Sequence, residues 1–265
     1  GEEKLDLNIE ELDCSYCTTV TAIPVLPKLK KLYCENTAVT TIPAMPKLEV
    51  LDCSYCTDLT NIPVMSELKT LCCHDCTALT SIHVLPELKK LSCGKCRSLT
   101  VIPVLPKLEM INCTDCTALT SISVMTKLKT LYCAGSTSLT TIPIMKELKT
   151  LICSACTRLT TIPLLPELRE LYCDLCTSLT NIPVMEERKK LSCYGCKWIN
   201  HDQCHDFEDN IRSLKHCQTI FSRKLTARKL EKLIPVITAI YYSPGYKGEY
   251  NTHRAFLAKM SLIPS

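Results

Sequence analysis

One twenty-residue phrase recurs along most of this chain, and that period constrains the fold more than any other feature. With the leading apolar residue as marker, copies begin at Leu12, Leu32, Leu51, Leu71, Leu91, Ile111, Leu131, Leu151, Leu171 and Leu191. Every step is 20 residues except the 19 from Leu32 to Leu51. A fixed period of this length marks a stack of supersecondary units, none of which can bury its own apolar face. The unit reads L-x-x-L-x-C-x-x-C-T-x-L-T-x-I-P-V-x-P-x. Within it Leu71 and Cys73 alternate around an outward Cys72, the period of a half-buried strand. A repeating proline pair, Pro24/Pro27 or Pro163/Pro166, then excludes a helix from the return path. Each copy is therefore a strand, a turn and an extended or polyproline-like return. Stacked copies place parallel strands ~4.8 Å apart.

Leu68, Leu71, Cys73, Cys76, Leu79 and Ile82 fall on the pattern L-x-x-L-x-L-x-x-N/C-x-L, and on those residues the chain resembles the leucine-rich repeat family. The 20-residue period with Ile-Pro-Val-x-Pro is similar to the shortest class of that family, known from bacterial effector proteins. The resemblance covers roughly residues 5–196. It implies an α/β solenoid, a horseshoe with a parallel β-sheet on its concave face and an extended convex side. The expected organisation is a solenoid over 1–196, nine repeats plus a truncated tenth, and a small helical C-terminal cap over 197–265. The Leu32 copy is one residue short, and the irregularity is expected in the turn Glu35-Asn36-Thr37. His83 and Ser123 replace the first proline, and Ser136 replaces a cysteine. Arg188 in place of a leucine, with Trp198, suggests where the stack ends. Terminal repeats need a polar cap. Residues 1–11 are short for one, so either the N-terminal edge pairs with something or sequence upstream of Gly1 is absent.

After Ile199 the pattern turns helical. Phe207, Ile211, Leu214 and Cys217 follow a 3–4 spacing, as do Leu230, Leu233, Ile237 and Ile240, and Thr252 opens a third segment to about Met260. Helices this small are marginal alone, so docking on the open end of the stack is expected. This tail carries 11 Lys/Arg against 6 Asp/Glu, which leaves 20 against 21 for the rest of the chain. Arg223, Lys224, Arg228, Lys229 and Lys232 form a basic cluster suited to an acidic partner or nucleic acid, though a solvated helix face is the commoner explanation. The stretch Tyr242-Ser243-Pro244-Gly245-Tyr246-Lys247-Gly248 also resembles the C-terminal motif of repeat proteins encoded by large cytoplasmic DNA viruses.

Composition matters chiefly for cysteine. There are 21, and 18 of them fall in two columns of the repeat, one through Cys14 and Cys53, the other through Cys17 and Cys56. Cys53-x-x-Cys56 followed by Cys73-x-x-Cys76 has zinc-site spacing. A 20-residue period carrying C-x-x-C generates that spacing automatically, however, at nearly every rung. Both columns are expected to point inward as small hydrophobic thiols. The second stands where the family often has Asn. A thiol bonds the backbone only weakly, so Thr57, Thr77 and their equivalents are expected to help. Reduced thiols imply an intracellular reducing compartment, the cytoplasm or a virion within it. No apolar run reaches the ~18–20 residues of a membrane helix, no secretory signal is read, and no cofactor is implied.

Chemistry is sparse. Cys204-His205-Asp206 is similar to the Cys-x-Asp of ubiquitin ligases attached to bacterial repeats of this class, but their catalytic domain is several times longer than this tail. His201, Cys204, His205 and Cys217 are a further metal-type set, better read as helix-face residues. The candidate site is instead the outward face of the strands, where Tyr33, Asp52, Cys72, Asn112, Tyr132, Ile152 and Tyr172 vary while the inward positions do not. The tyrosines are the anchors, since Tyr gives large contact area at low entropy cost. Lys69, Lys89, Lys129, Lys149, Arg169 and Lys189 line them as a basic stripe. The expected function is a non-enzymatic module that binds a protein partner through this face or the solenoid ends. The alternative is a structural virion component, and a ligase-like enzyme is a weak third.

Overall fold

The computed structural model describes residues 8–180, 182 and 190–196. Ten three-residue strands form one parallel sheet: β1 (Glu11–Asp13), β2 (Lys31–Tyr33), β3 (Val50–Asp52), β4 (Thr70–Cys72), β5 (Lys90–Ser92), β7 (Met110–Asn112), β9 (Thr130–Tyr132), β10 (Thr150–Ile152), β11 (Glu170–Tyr172) and β12 (Lys190–Ser192). On the return side β6 (Val101–Ile102) pairs in parallel with β8 (Ser121–Ile122), and Thr141 bridges Thr161. Each of the ten repeat leaders is the middle residue of its strand and stands opposite the next leader, Leu71 beside Leu91 and Leu91 beside Ile111. The described part is a parallel β-solenoid, and no helix occurs among the described residues. The expected helical cap, the basic cluster at 223–232, Arg188 and Trp198 lie outside them.

The core of one turn is a ring of inward side chains. In the fourth rung Leu71, Cys73, Cys76, Leu79, Ile82 and Leu85 are all buried, and Leu88 opens the fifth in the same way. Burial of each large apolar side chain contributes about 2 kcal/mol, and repetition makes the core continuous. The first rung departs from the expected inward columns: Leu12 and Cys14 are half-buried and Cys17 is exposed.

The turn after each strand uses one left-handed residue per rung. Asn36, Asp75 and Asp115 suit that conformation, and Gly135 and Gly195 suit it best, but Tyr16, Tyr55, Lys95, Ala155 and Leu175 also adopt it, with φ between 58° and 63°. For such side chains the conformation costs about 1–2 kcal/mol. An axial hydrogen bond to the next rung offsets it, as in Tyr55 N–H to His74 O at 2.6 Å and Lys95 N–H to Thr114 O at 2.7 Å. At Gly135 a side chain would in addition collide with the Asp115 carboxylate.

The short copy is resolved differently from the expectation. Asn36 turns left-handed with φ 52°, as Tyr55 does one rung on with φ 61°, so Glu35-Asn36 is a regular turn. The missing residue falls after Thr37, where Ala38 replaces the two-residue turn Thr57-Asp58 of the next rung. Thr37 takes the second-column place. Its hydroxyl donates to Cys34 O at 2.9 Å and lies 3.3 Å from Cys56 Sγ.

Candidate functional site

The cysteines come first, because their surroundings decide whether they do chemistry. From the third rung on, each second-column sulfur lies against the carbonyl of the first-column cysteine one rung earlier: Cys76 to Cys53 O at 3.1 Å, Cys96 to Cys73 O at 3.0 Å, Cys116 to Cys93 O at 3.0 Å and Cys156 to Cys133 O at 3.0 Å. The same carbonyl accepts the turn N–H of its own rung, as Cys56 N–H to Cys53 O at 3.3 Å. Where serine replaces cysteine, Ser136 Oγ donates to Cys113 O at 2.8 Å. The thiols therefore make the ladder directly, which corrects the expectation that threonines help them. Thr77 Oγ1 instead donates to Thr57 O at 3.5 Å, and a different threonine column forms its own ladder, with Thr120 Oγ1 donating to Thr100 O at 3.2 Å and Thr180 Oγ1 to Thr160 O at 3.3 Å.

A thiol bonded to a carbonyl must keep its proton. Burial pushes Cys113 well above the ordinary thiol range. Hydrogen bonding with Cys96, then burial, does the same to Cys73. That bond draws Cys96 down in turn. With a carbonyl oxygen 3.0 Å from the Cys96 sulfur and Asp75 as the one charge acting on it, the protonated form is the one that fits. All nineteen described cysteines are free thiols. Among the described residues no group of three or more His, Cys, Asp or Glu side chains is arranged to hold a metal ion. Cys204, His201, His205 and Cys217 lie outside the described residues.

The sheet face places all seven candidate residues in one register column, half-buried, one per strand. They are not equivalent. Asp52 Oδ1 accepts Ser54 N–H at 3.0 Å and Asn112 Oδ1 accepts Thr114 N–H at 3.1 Å. Both side chains thus brace their own turns. The signal for this role, Asp or Asn two residues before Ser or Thr, stands in the sequence. Tyr33 sits between Asp13 and Asp52. Cys72 is pushed up to about 11 by burial, then by Asp52 and Glu35, so it is a neutral thiol rather than a nucleophile.

What remains is contiguous. Tyr132, Ile152 and Tyr172 stand side by side on β9, β10 and β11. Neither tyrosine hydroxyl bonds another described residue. The basic stripe beside them is partly neutralised. Lys69 pairs with Glu49 at 2.7 Å and Lys129 with Glu109 at 2.9 Å, while Lys89, Lys149 and Arg169 form no ion pair among the described residues. Lys149 and Arg169 immediately precede β10 and β11, with Thr150 and Glu170 between them and the strip, and Glu170 pairs with Lys190 at 3.0 Å. Lys189 lies outside the described residues.

No family model matches the chain, and no curated protein matches it. Among solved structures, a leucine-rich repeat protein from Bacteroides ovatus ATCC 8483 is similar, at 17% identity over 73% of this chain and 83% of that one, with a TM-score of 0.32.

Proposed function

We propose that the chain is a non-enzymatic interaction module of the leucine-rich repeat type, which binds a protein partner across the C-terminal half of its sheet face. The observation that carries this reading is the apolar strip Tyr132–Ile152–Tyr172, with the cations Lys149 and Arg169, unpaired among the described residues, just before its strands β10 and β11. Two tyrosines around an aliphatic residue are hot-spot chemistry, and the cations favour a partner with carboxylates beside its own apolar residues. The protonated thiol ladder fits a reducing compartment, where its S–H donors persist. A second reading, a structural component that assembles through its surfaces, is favoured by the charge-free return face described below.

The test is affinity capture with the full chain against a Y132A/Y172A variant. The double truncation is expected to weaken partner recovery by about 100-fold or more. Undiminished recovery of the same partner would sink the sheet-face reading.

A further inference from the structure

The return side of the solenoid carries a second surface that the sequence pattern hides. Two residues after the buried isoleucine of each return segment, Val64, Val84, Val104, Val124, Ile144 and Leu164 are apolar yet 53–62% exposed. They form a column one residue wide, one per rung. From Val39 to Ala44 in the second rung, and over the same six positions of each rung down to Leu159–Leu164 in the eighth, no Asp, Glu, Lys or Arg occurs. Contiguous exposed apolar surface of this kind marks an interaction site.

We propose that this face pairs with a second copy of the chain, the two solenoids antiparallel about a two-fold axis lying along the fifth rung's return segment, Val101–Pro106. A two-fold interface must be self-complementary, residue i meeting j where j meets i. An axis along the fifth rung sets the fourth rung against the sixth, the third against the seventh and the second against the eighth, each column facing itself.

Positions with the same letter in every rung satisfy any such axis, so the departures carry the argument. The first proline column departs only twice among these seven rungs, at His83 and at Ser123. They lie one rung either side of Pro103 and therefore face each other, imidazole against hydroxyl, twice per pair. The column through Val101 is polar in the other six rungs, with Ser81 and Ser121 flanking the exposed Val101 that sits on the axis. In the valine column the smallest side chain, Ala44, meets the longest, Leu164, while Val64 meets Ile144 and Val104 meets itself. The six uncharged positions bring no like charges together, and two residues beyond them Lys146 meets Ser66.

Six steps of ~4.8 Å by five residues of ~3.3 Å give a patch of roughly 29 by 16 Å. That is on the order of 1,000 Å² for the pair, at the low end for a specific interface, so a reversible dimer is expected. Its contact residues are distinct from the strip Tyr132–Ile152–Tyr172.

Sedimentation of the full chain from about 1 to about 100 µM tests this. A dimer of the 29.7 kDa chain is expected. Val104→Glu, which places two carboxylates together on the axis, is expected to weaken it about 100-fold or more. Val84→Lys and Val124→Glu should each give monomers, and the V84K/V124E double variant should restore the dimer, because position 84 faces position 124 of the other copy. Unchanged circular dichroism shows that the variants fold. A wild-type chain that stays monomeric over the whole range, or a dimer indifferent to Val104→Glu, overturns the proposal. A double variant that remains monomeric overturns the antiparallel register.

Discussion

Raising the pH from about 8 to about 10 is expected to unfold the solenoid in one steep transition, because an exposed cysteine ionises near 8.5. Eight first-column thiols are held well above that value, Cys34 and Cys173 among them, while the partners Cys56, Cys96, Cys176 and Cys196 are drawn down. For Cys53, Cys73, Cys93, Cys133 and Cys153 the causes are hydrogen bonding with the second-column partner and then burial. For Cys113 burial leads. A thiol is neutral while protonated. Above about pH 8.5 the unfolded chain therefore sheds these protons while the folded chain keeps them, and stability falls as pH rises. The contribution is fully present below the unfolded value. Each such thiol then loses about 1.4 kcal/mol per pH unit, so the losses of several rungs together approach the whole stability of an ordinary domain. Denaturant melts followed by circular dichroism at stepped pH read this directly. A midpoint that holds steady through pH 10 would contradict it.

The second large effect is expected from Ile111→Ala. Ile111 is the buried leader of β7, which is bonded to β5 on one side and β9 on the other. Truncating a fully buried isoleucine costs about 2–5 kcal/mol. In a solenoid each rung is held only by its neighbours, so a weakened middle rung uncouples the two halves. Calorimetry is expected to show one transition for the parent and two for the variant. Val25→Ala, exposed on the return side of the first rung and outside the proposed interface, should stay within about 0.5 kcal/mol. Equal effects at the two positions would mean that the inward and outward columns are misassigned.

The register of the main sheet was legible, because a 20-residue period with one alternating stretch leaves a single register in which every leader faces a leader, although each strand ends one residue before the inward cysteine. The place of the missing residue was not. Thr37 fills the second-column site by hydrogen bonding Cys34 O, a substitution of geometry that the letters do not announce. The exposed valines were hidden for a related reason. In an extended, proline-bound return, neither period 2 nor period 3.6 tells which apolar residue faces in. Ile102 does and Val104 does not. On the sheet face the letters identified the column but not the division of labour within it. Asp52 and Asn112 brace turns, and Tyr132, Ile152 and Tyr172 are left as a strip because neighbouring rungs happen to carry apolar residues together.

That the two cysteine columns are core and ladder rather than a reactive or metal-binding array is most directly tested by timed alkylation of the native chain near neutral pH, with each labelled cysteine located by mass spectrometry. Cys17, exposed in the first rung, is expected to react first, and the half-buried Cys14 and Cys72 more slowly. Cys53, Cys76, Cys93 and Cys116 should react only as fast as the chain unfolds. Labelling of Cys53 and Cys76 at the rate of Cys17, or their protection by a bound metal ion that a chelator removes, would contradict the account.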